Sequence, residues 1–134
     1  MIYLLDTCVI SDFVKNDKHT VDRIKNISPA QLAVSSITAM ELEYGLLHDA
    51  QQGKKLRPII EAVLKSITLL PYTQEDALYT ALVRALLRKL GTPIGSYDIL
   101  IAGCALRHQL ILVTSNEKEF NRVPDLKIEN WRIK

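Results

Sequence analysis

A repeated rhythm constrains this chain more than any other feature: a short apolar run, then two helical patterns, three times over. The apolar runs are Ile2–Leu5, Leu32–Ser35, Ile67–Leu70 and Leu110–Thr114, with Leu126–Asn130 as a fifth. Each is too short for anything but a strand. Strands that alternate with helical segments pack as a parallel sheet with both faces covered. The expectation is therefore an α/β fold with a mainly parallel central sheet of about five strands, flanked by helices on both faces. With 134 residues, the chain fits a single domain over 1–134.

The helical stretches have legible ends. A pattern around Val9, Ile10, Phe13 and Val14 follows the first strand, and Thr20–Ile27 forms a second helix that Ser28-Pro29 breaks. The Thr38-x-x-Glu41 spacing predicts a capping box opening a helix to about Ala50. Gly53 is expected to separate it from a helix over Lys54–Ser66, with Pro58 near the start. Thr73 caps a long amphipathic helix carrying Ala77, Leu78, Ala81, Leu82, Ala85, Leu86 and Leu90 at helical spacing, and Gly91 ends it. Ser96 is expected to cap a further helix to about His108, and Glu117–Phe120 offers one turn.

The composition, 48% hydrophobic and 24% charged, supports a packed core and excludes a wholly disordered chain. No apolar stretch approaches the ~20 residues of a membrane helix. The opening MIYLLDTCVISDF holds Asp6 and no basic leader, so it does not read as a secretory signal. Cys8 and Cys104 sit in apolar runs and read as buried free thiols of a reducing cytoplasm. Residues 1–50 hold 7 acids and 4 bases, while the remainder holds 8 acids and 13 bases. Folding these halves together sets acidic groups beside a basic surface, an arrangement suited to metal-assisted chemistry on a polyanion.

Open parallel sheets carry their reactive groups just beyond the carboxyl ends of the strands. Asp6 follows the first strand directly. Glu41 lies one turn into the helix after the second, and Asp98 lies in the first turn of the helix before the fourth. Asn116 and Glu119 follow the fourth strand. Carboxylates gathered in one pocket repel each other unless a cation joins them, and a hard dication such as Mg²⁺ or Mn²⁺ takes oxygen ligands of this kind. Each residue also has a plainer reading. Asp6 and Asp98 could serve helix N-termini, Glu41 could serve the capping box, and Asn116 and Glu119 could be turn residues. Glu43 points to a different face from Glu41 and reads as solvated or paired.

Four segments decide between these readings. LLDTCVISDF (Leu4–Phe13), SSITAMELEYG (Ser35–Gly45), IGSYDILIAGCAL (Ile94–Leu106) and LVTSNEKEFNRVPDLKIENW (Leu112–Trp131), in this order and at this spacing, resemble the PIN-domain family, and within it the VapC-type toxins of bacterial toxin–antitoxin pairs. The resemblance covers essentially the whole chain and implies a PIN-like fold. It makes Asp6, Glu41 and Asp98 the metal-binding acidic core, with Asn116 and Glu119 completing the site and the hydroxyls of Thr7 and Thr114 flanking it. The chain departs from the commonest pattern at three places: Cys8 stands where Asn or Ser is frequent, Ser115 where Asn or Asp is frequent, and Gly103 where Ala is frequent.

The implied activity is that of a Mg²⁺-dependent endoribonuclease, with Mn²⁺ able to substitute, leaving 5′-phosphate and 3′-hydroxyl ends and inhibiting translation. No histidine is required, and His19, His48 and His108 read as structural. The implied substrate is a structured RNA such as tRNA, with initiator tRNA one target of toxins of this type. Lys54, Lys55, Arg57, Arg84, Arg88 and Lys89 are candidates to hold its backbone. The implied partners are a VapB-type antitoxin and a second copy of the chain. The antitoxin would carry the larger assembly onto operator DNA. Val9, Ile10, Phe13, Ile24, Leu46 and Leu47 are candidates for its apolar groove. Two alternatives remain at this point: another Mg-dependent phosphohydrolase working through a covalent phospho-Asp6, and a non-catalytic PIN-type RNA-binding module. The first calls for a second Asp where Cys8 stands. The second calls for loss of an acidic position, yet all three are present.

Overall fold

The computed structural model describes residues 1–132. Five strands, β1 (Tyr3–Leu5), β2 (Leu32–Ser35), β3 (Thr68–Leu70), β4 (Ile111–Val113) and β5 (Ile128–Glu129), form one sheet in the order β3-β2-β1-β4-β5. Every pairing is parallel, with Leu4 opposite both Ala33 and Leu112. Parallel strands require crossovers, and seven helices supply them: α1 (Thr7–Val14), α2 (Lys18–Lys25), α3 (Ser36–His48), α4 (Ala50–Ser66), α5 (Gln74–Leu90), α6 (Ser96–His108) and α7 (Glu117–Phe120). Among the described residues no helix is long and apolar enough to cross a membrane.

Successive side chains on a strand face opposite ways, so each strand serves two cores. Leu5, Val34 and Val113 point to one face, where Val9 and Ile10 of α1, Leu42 and Leu46 of α3 and Ile60 of α4 cover them. Leu4, Ala33 and Leu112 point to the other, under Val83 and Leu87 of α5, Ile101 and Ala105 of α6 and Phe120 of α7. The expected two-faced parallel sheet is the observed one.

Three local expectations are corrected. First, Ser35, not Thr38, caps α3: its hydroxyl accepts the Thr38 N–H at 3.2 Å. The helix starts three residues early, Thr38 becomes a buried position in its first turn, and Glu41 is released from capping. Second, Gly53 does not divide two helices but lies inside α4, which Asp49 caps by accepting the Gln52 N–H. A methyl group at Gly53 would sit 2.2 Å from the Leu46 carbonyl oxygen, so this glycine marks close approach of α4 to α3. Pro58 is consequently interior to α4. Third, Gly95 holds the N-cap position of α6, and Ser96 is its first residue.

The α5 ends agree with expectation: Thr73 and Asp76 form a capping box, and Gly91 closes the helix at φ 73°. Gly103, the third sequence departure, faces Thr80 so closely that a Cβ there would lie 2.2 Å from the Thr80 hydroxyl. An alanine cannot be accommodated beside this threonine without displacing it.

Candidate active site

Strand order reverses between β1 and β4: the chain runs outward from β1 through β2 to β3, then returns to β1's other side. A crevice opens outside the carboxyl ends at such a reversal. Asp6 ends β1 and stands in it, capping α1 with Oδ1 on the Thr7 N–H at 2.8 Å. Its Oδ2 accepts the Thr114 hydroxyl at 2.8 Å, which ties the end of β1 to the end of β4. Thr114 in turn accepts the Asn116 N–H at 3.0 Å and so shapes the turn that follows. Thr7 reaches the other way, donating its hydroxyl to Glu41 Oε1 at 2.7 Å. One strand end thereby carries contacts to the second and fourth.

Asp98 enters from the first turn of α6 and Glu119 from α7. Asn116 spans them, its amide donating to Glu119 Oε2 at 2.9 Å and to Asp98 Oδ2 at 3.4 Å. The Gly95 N–H donates to Glu119 Oε1. A side chain at Gly95 would begin 3.2 Å from Glu119 Oε1 and 3.3 Å from Asp98 Oδ2, so a bare backbone lets the two carboxylates converge. Gly95 was missed as a site residue in the sequence. Its signal was a glycine three residues before an acid in the first turn of a helix.

Electrostatics marks the cluster as one that lacks positive charge. Asp6 is 6% exposed, and burial raises its carboxyl above the usual range against the pull of its hydrogen bonds. Asp98 is pushed up to about 7, first by burial and then by the charges of Asp6 and Glu119. Glu119 moves the other way, held low by the Gly95 N–H and the Asn116 amide. Among the described residues none of Asp6, Glu41, Asp98 or Glu119 forms an ion pair. No three of these carboxylates bring oxygens within 4.8 Å of one another; among the described residues only Asp76, Cys104 and His108 do so. The strand-end set therefore fits a hard dication that keeps several of its waters, not a dehydrated ion in a tight cage.

Cys8 also belongs to this neighbourhood. Its sulfur lies 3.7 Å from Asp6 Oδ2 and accepts the Ser115 N–H at 3.4 Å, and burial with the Asp6 charge raises the thiol. Both cysteines are free, as expected, but only Cys104 is buried, whereas Cys8 is half-buried at the edge of the site. Glu43 is paired with Arg57 at 2.7 and 2.8 Å, so Glu43 leaves the site as expected and Arg57 is largely neutralised as a phosphate holder. Lys54, Lys55, Arg84, Arg88 and Lys89 are exposed. Val9 and Ile10 are buried in the core, whereas Leu46, itself nearly buried, lines a surface cavity between α3 and α4 together with the exposed Leu47.

The sheet order, the carboxylates at the reversal point and the shortage of countercharge define the class as an α/β protein with a strand-end acidic cluster whose chemistry suits a divalent cation. The PIN domain family matches residues 3–126. The chain is 35% identical over 129 residues to the tRNA(fMet)-specific endonuclease VapC of Salmonella typhimurium, covering 96% of this chain and 97% of that one. It is 36% identical over 129 residues to the Ribonuclease VapC2 of Haemophilus influenzae, with the same coverage. Among solved structures, the DNA-bound VapBC complex of Salmonella typhimurium aligns with a TM-score of 0.91 at 34% identity, covering 98% of both chains. This chain belongs to the PIN-domain family, in its VapC group.

Proposed function

We propose that this chain, acting as one PIN domain over residues 1–134, is the endoribonuclease toxin of a VapBC-type toxin–antitoxin pair. The observation that carries this is the convergence of Asp6, Asp98, Glu119 and Asn116, with Glu41 beside them, at a strand-order reversal that lacks countercharge. The names of its relatives supply the RNA: the Salmonella protein is a tRNA(fMet)-specific endonuclease. We extend that class to this chain as structured RNA, with tRNA, and initiator tRNA in particular, as the first to test.

Asp6 and Asp98 would hold a Mg²⁺ ion, or Mn²⁺ in its place, with Glu41 contributing directly or through water. Such an ion supplies polarisation of the phosphoryl oxygen and a lowered pKa for water. Thr7 and Thr114 fix the Glu41 and Asp6 carboxylates through their hydroxyls. Asn116 orients Glu119 and Asp98, and Glu119 positions water for in-line attack on phosphorus. The 3′ oxygen leaves, giving 5′-phosphate and 3′-hydroxyl ends. Arg84 and Arg88 border a cleft of about 500 Å³ that reaches Ile94 and Ser96 beside the acidic cluster, and they hold the RNA backbone there.

A VapB-type antitoxin is the partner, as in the VapBC complexes that this fold resembles. A homodimer is supported by α5, where Leu78, Leu82, Leu86 and Leu90 recur every fourth residue and all stand exposed, Leu82 at 69%. The toxin works in the cytoplasm, where two free thiols persist. Operator DNA is contacted through the antitoxin.

The test is 5′-end sequencing of RNA after brief expression, with Asp6→Asn as control. The expected result is a small set of new 5′-phosphate ends in one structured RNA class, absent from the control. Identical ends in both would refute the assignment.

A further inference from the structure

Away from the strand ends, a second group of ligand-type side chains meets between α5 and α6. Asp76 of α5 and Cys104 and His108 of α6 each offer an atom, and the three atoms all lie within 4.8 Å of one another. Cys104 and His108 are four residues apart and share a helix face. Asp76 is 0% exposed, and its Oδ2 is used by the Thr73 cap. Its Oδ1 is buried with no hydrogen-bond partner, and it faces His108 Nε2 at 3.7 Å. A buried, unpartnered carboxylate oxygen is costly and calls for an explanation.

We propose that Asp76, Cys104 and His108 form a site for a borderline-soft divalent cation of the zinc class, separate from the carboxylates at the strand ends. Zinc takes His nitrogen and carboxylate oxygen at about 2.0–2.2 Å and thiolate sulfur at about 2.3 Å, so tetrahedral ligand atoms stand roughly 3.3–3.7 Å apart. The 3.7 Å between Asp76 Oδ1 and His108 Nε2 already meets that spacing. One nitrogen, one sulfur and one oxygen favour zinc over magnesium, which the all-oxygen strand-end set suits instead. Three protein ligands leave a fourth position for water, on the side where His108 is 18% exposed.

The surrounding packing holds the ligands in place. Thr80, one turn from Asp76, donates its hydroxyl to the Asp76 carbonyl at 3.0 Å, and it presses against Gly103, the residue before Cys104. Arg107 stands at the entrance, with Nη1 2.8 Å from His108 Nε2, Nε 4.0 Å from Asp76 Oδ1 and Nη2 3.1 Å from Glu75. Cation entry moves the guanidinium off His108, and the exposed Glu75 retains it. The Cys104 thiol is pushed up to about 12 by burial and by the Asp76 charge, so it enters the reaction protonated. Ligation exchanges the S–H bond for a metal–sulfur bond and releases one proton to solvent, with no change of oxidation state.

The experiment is a Co²⁺ titration of the metal-stripped full chain in excess Mg²⁺, read by absorption. Wild type should show a thiolate-to-cobalt band saturating at one equivalent, bleached by Zn²⁺. Cys8→Ser should keep the band, while Cys104→Ser and His108→Gln should each lose it. His108→Gln, at a partly exposed position, should retain Mg²⁺-dependent RNA cleavage at the wild-type rate, which separates this site from the nuclease assignment. No band in wild type, or a band that survives Cys104→Ser and disappears in Cys8→Ser, would overturn the proposal.

Discussion

Replacing Asp98 by Asn tests the repulsion inside the acidic cluster without requiring any substrate. In the metal-free protein the Asp98 carboxyl is raised from 3.8 to about 7, by burial first and by neighbouring charge second. The folded state therefore disfavours the ionised form. Stability from this group is fully present below 3.8 and is lost as pH rises toward about 7. At 1.36 kcal/mol per unit the full displacement corresponds to roughly 4 kcal/mol; solvent screening of a half-exposed carboxyl reduces that to about 2 kcal/mol. More than half of the loss falls between pH 5 and 8, or about 1 kcal/mol. The attraction of the ionised carboxylate to the α6 N-terminus grows in over the same range and is already contained in that displacement. Thermal unfolding in EDTA should therefore show Asp98→Asn gaining on wild type by about 3 °C between pH 5 and 8. Taking the difference between the two proteins removes His108, whose pKa burial lowers and which contributes in the opposite direction near its ordinary value. Added Mg²⁺ should stabilise wild type more than the variant. A gap that stays constant with pH, or that moves in favour of wild type in EDTA, would refute the electrostatic reading of the cluster.

Other substitutions probe other links. Glu41→Gln keeps an acceptor for the Thr7 hydroxyl, so unfolding should shift by under about 0.5 kcal/mol while RNA cleavage falls by about 10- to 100-fold. Gly53→Ala drives a methyl group toward the Leu46 carbonyl and should cost about 1–3 kcal/mol in denaturant unfolding; an unchanged midpoint would disprove the close approach of α3 and α4. Leu82→Asp charges the exposed leucine row of α5 and should give a monomer in sedimentation; a persistent dimer would place the interface elsewhere.

Much of the fold was legible because its signals are local. Strand length, helical period and the Thr73 and Gly91 caps depend on neighbours a few residues away, and those elements stand where the sequence places them. The misreadings arose where a distant segment set the conformation. Gly53 reads as a helix break until α3 is seen against it. Thr38 is the local exception: it reads as a cap, yet Ser35, three residues earlier at the end of β2, is the residue that caps α3. Val9 and Ile10 read as groove residues until the sheet buries them.

The sequence alone determined the chemical inventory: which carboxylates follow which strands, and an ordered set of four segments that resembles one family. It could not determine that Thr114 grips Asp6 across 108 positions, that Gly95 is bare so that Asp98 and Glu119 converge, or that Asp76 faces His108. Those relations depend on strand order and helix packing. Each joins residues whose separation along the chain carries no information about their distance in space.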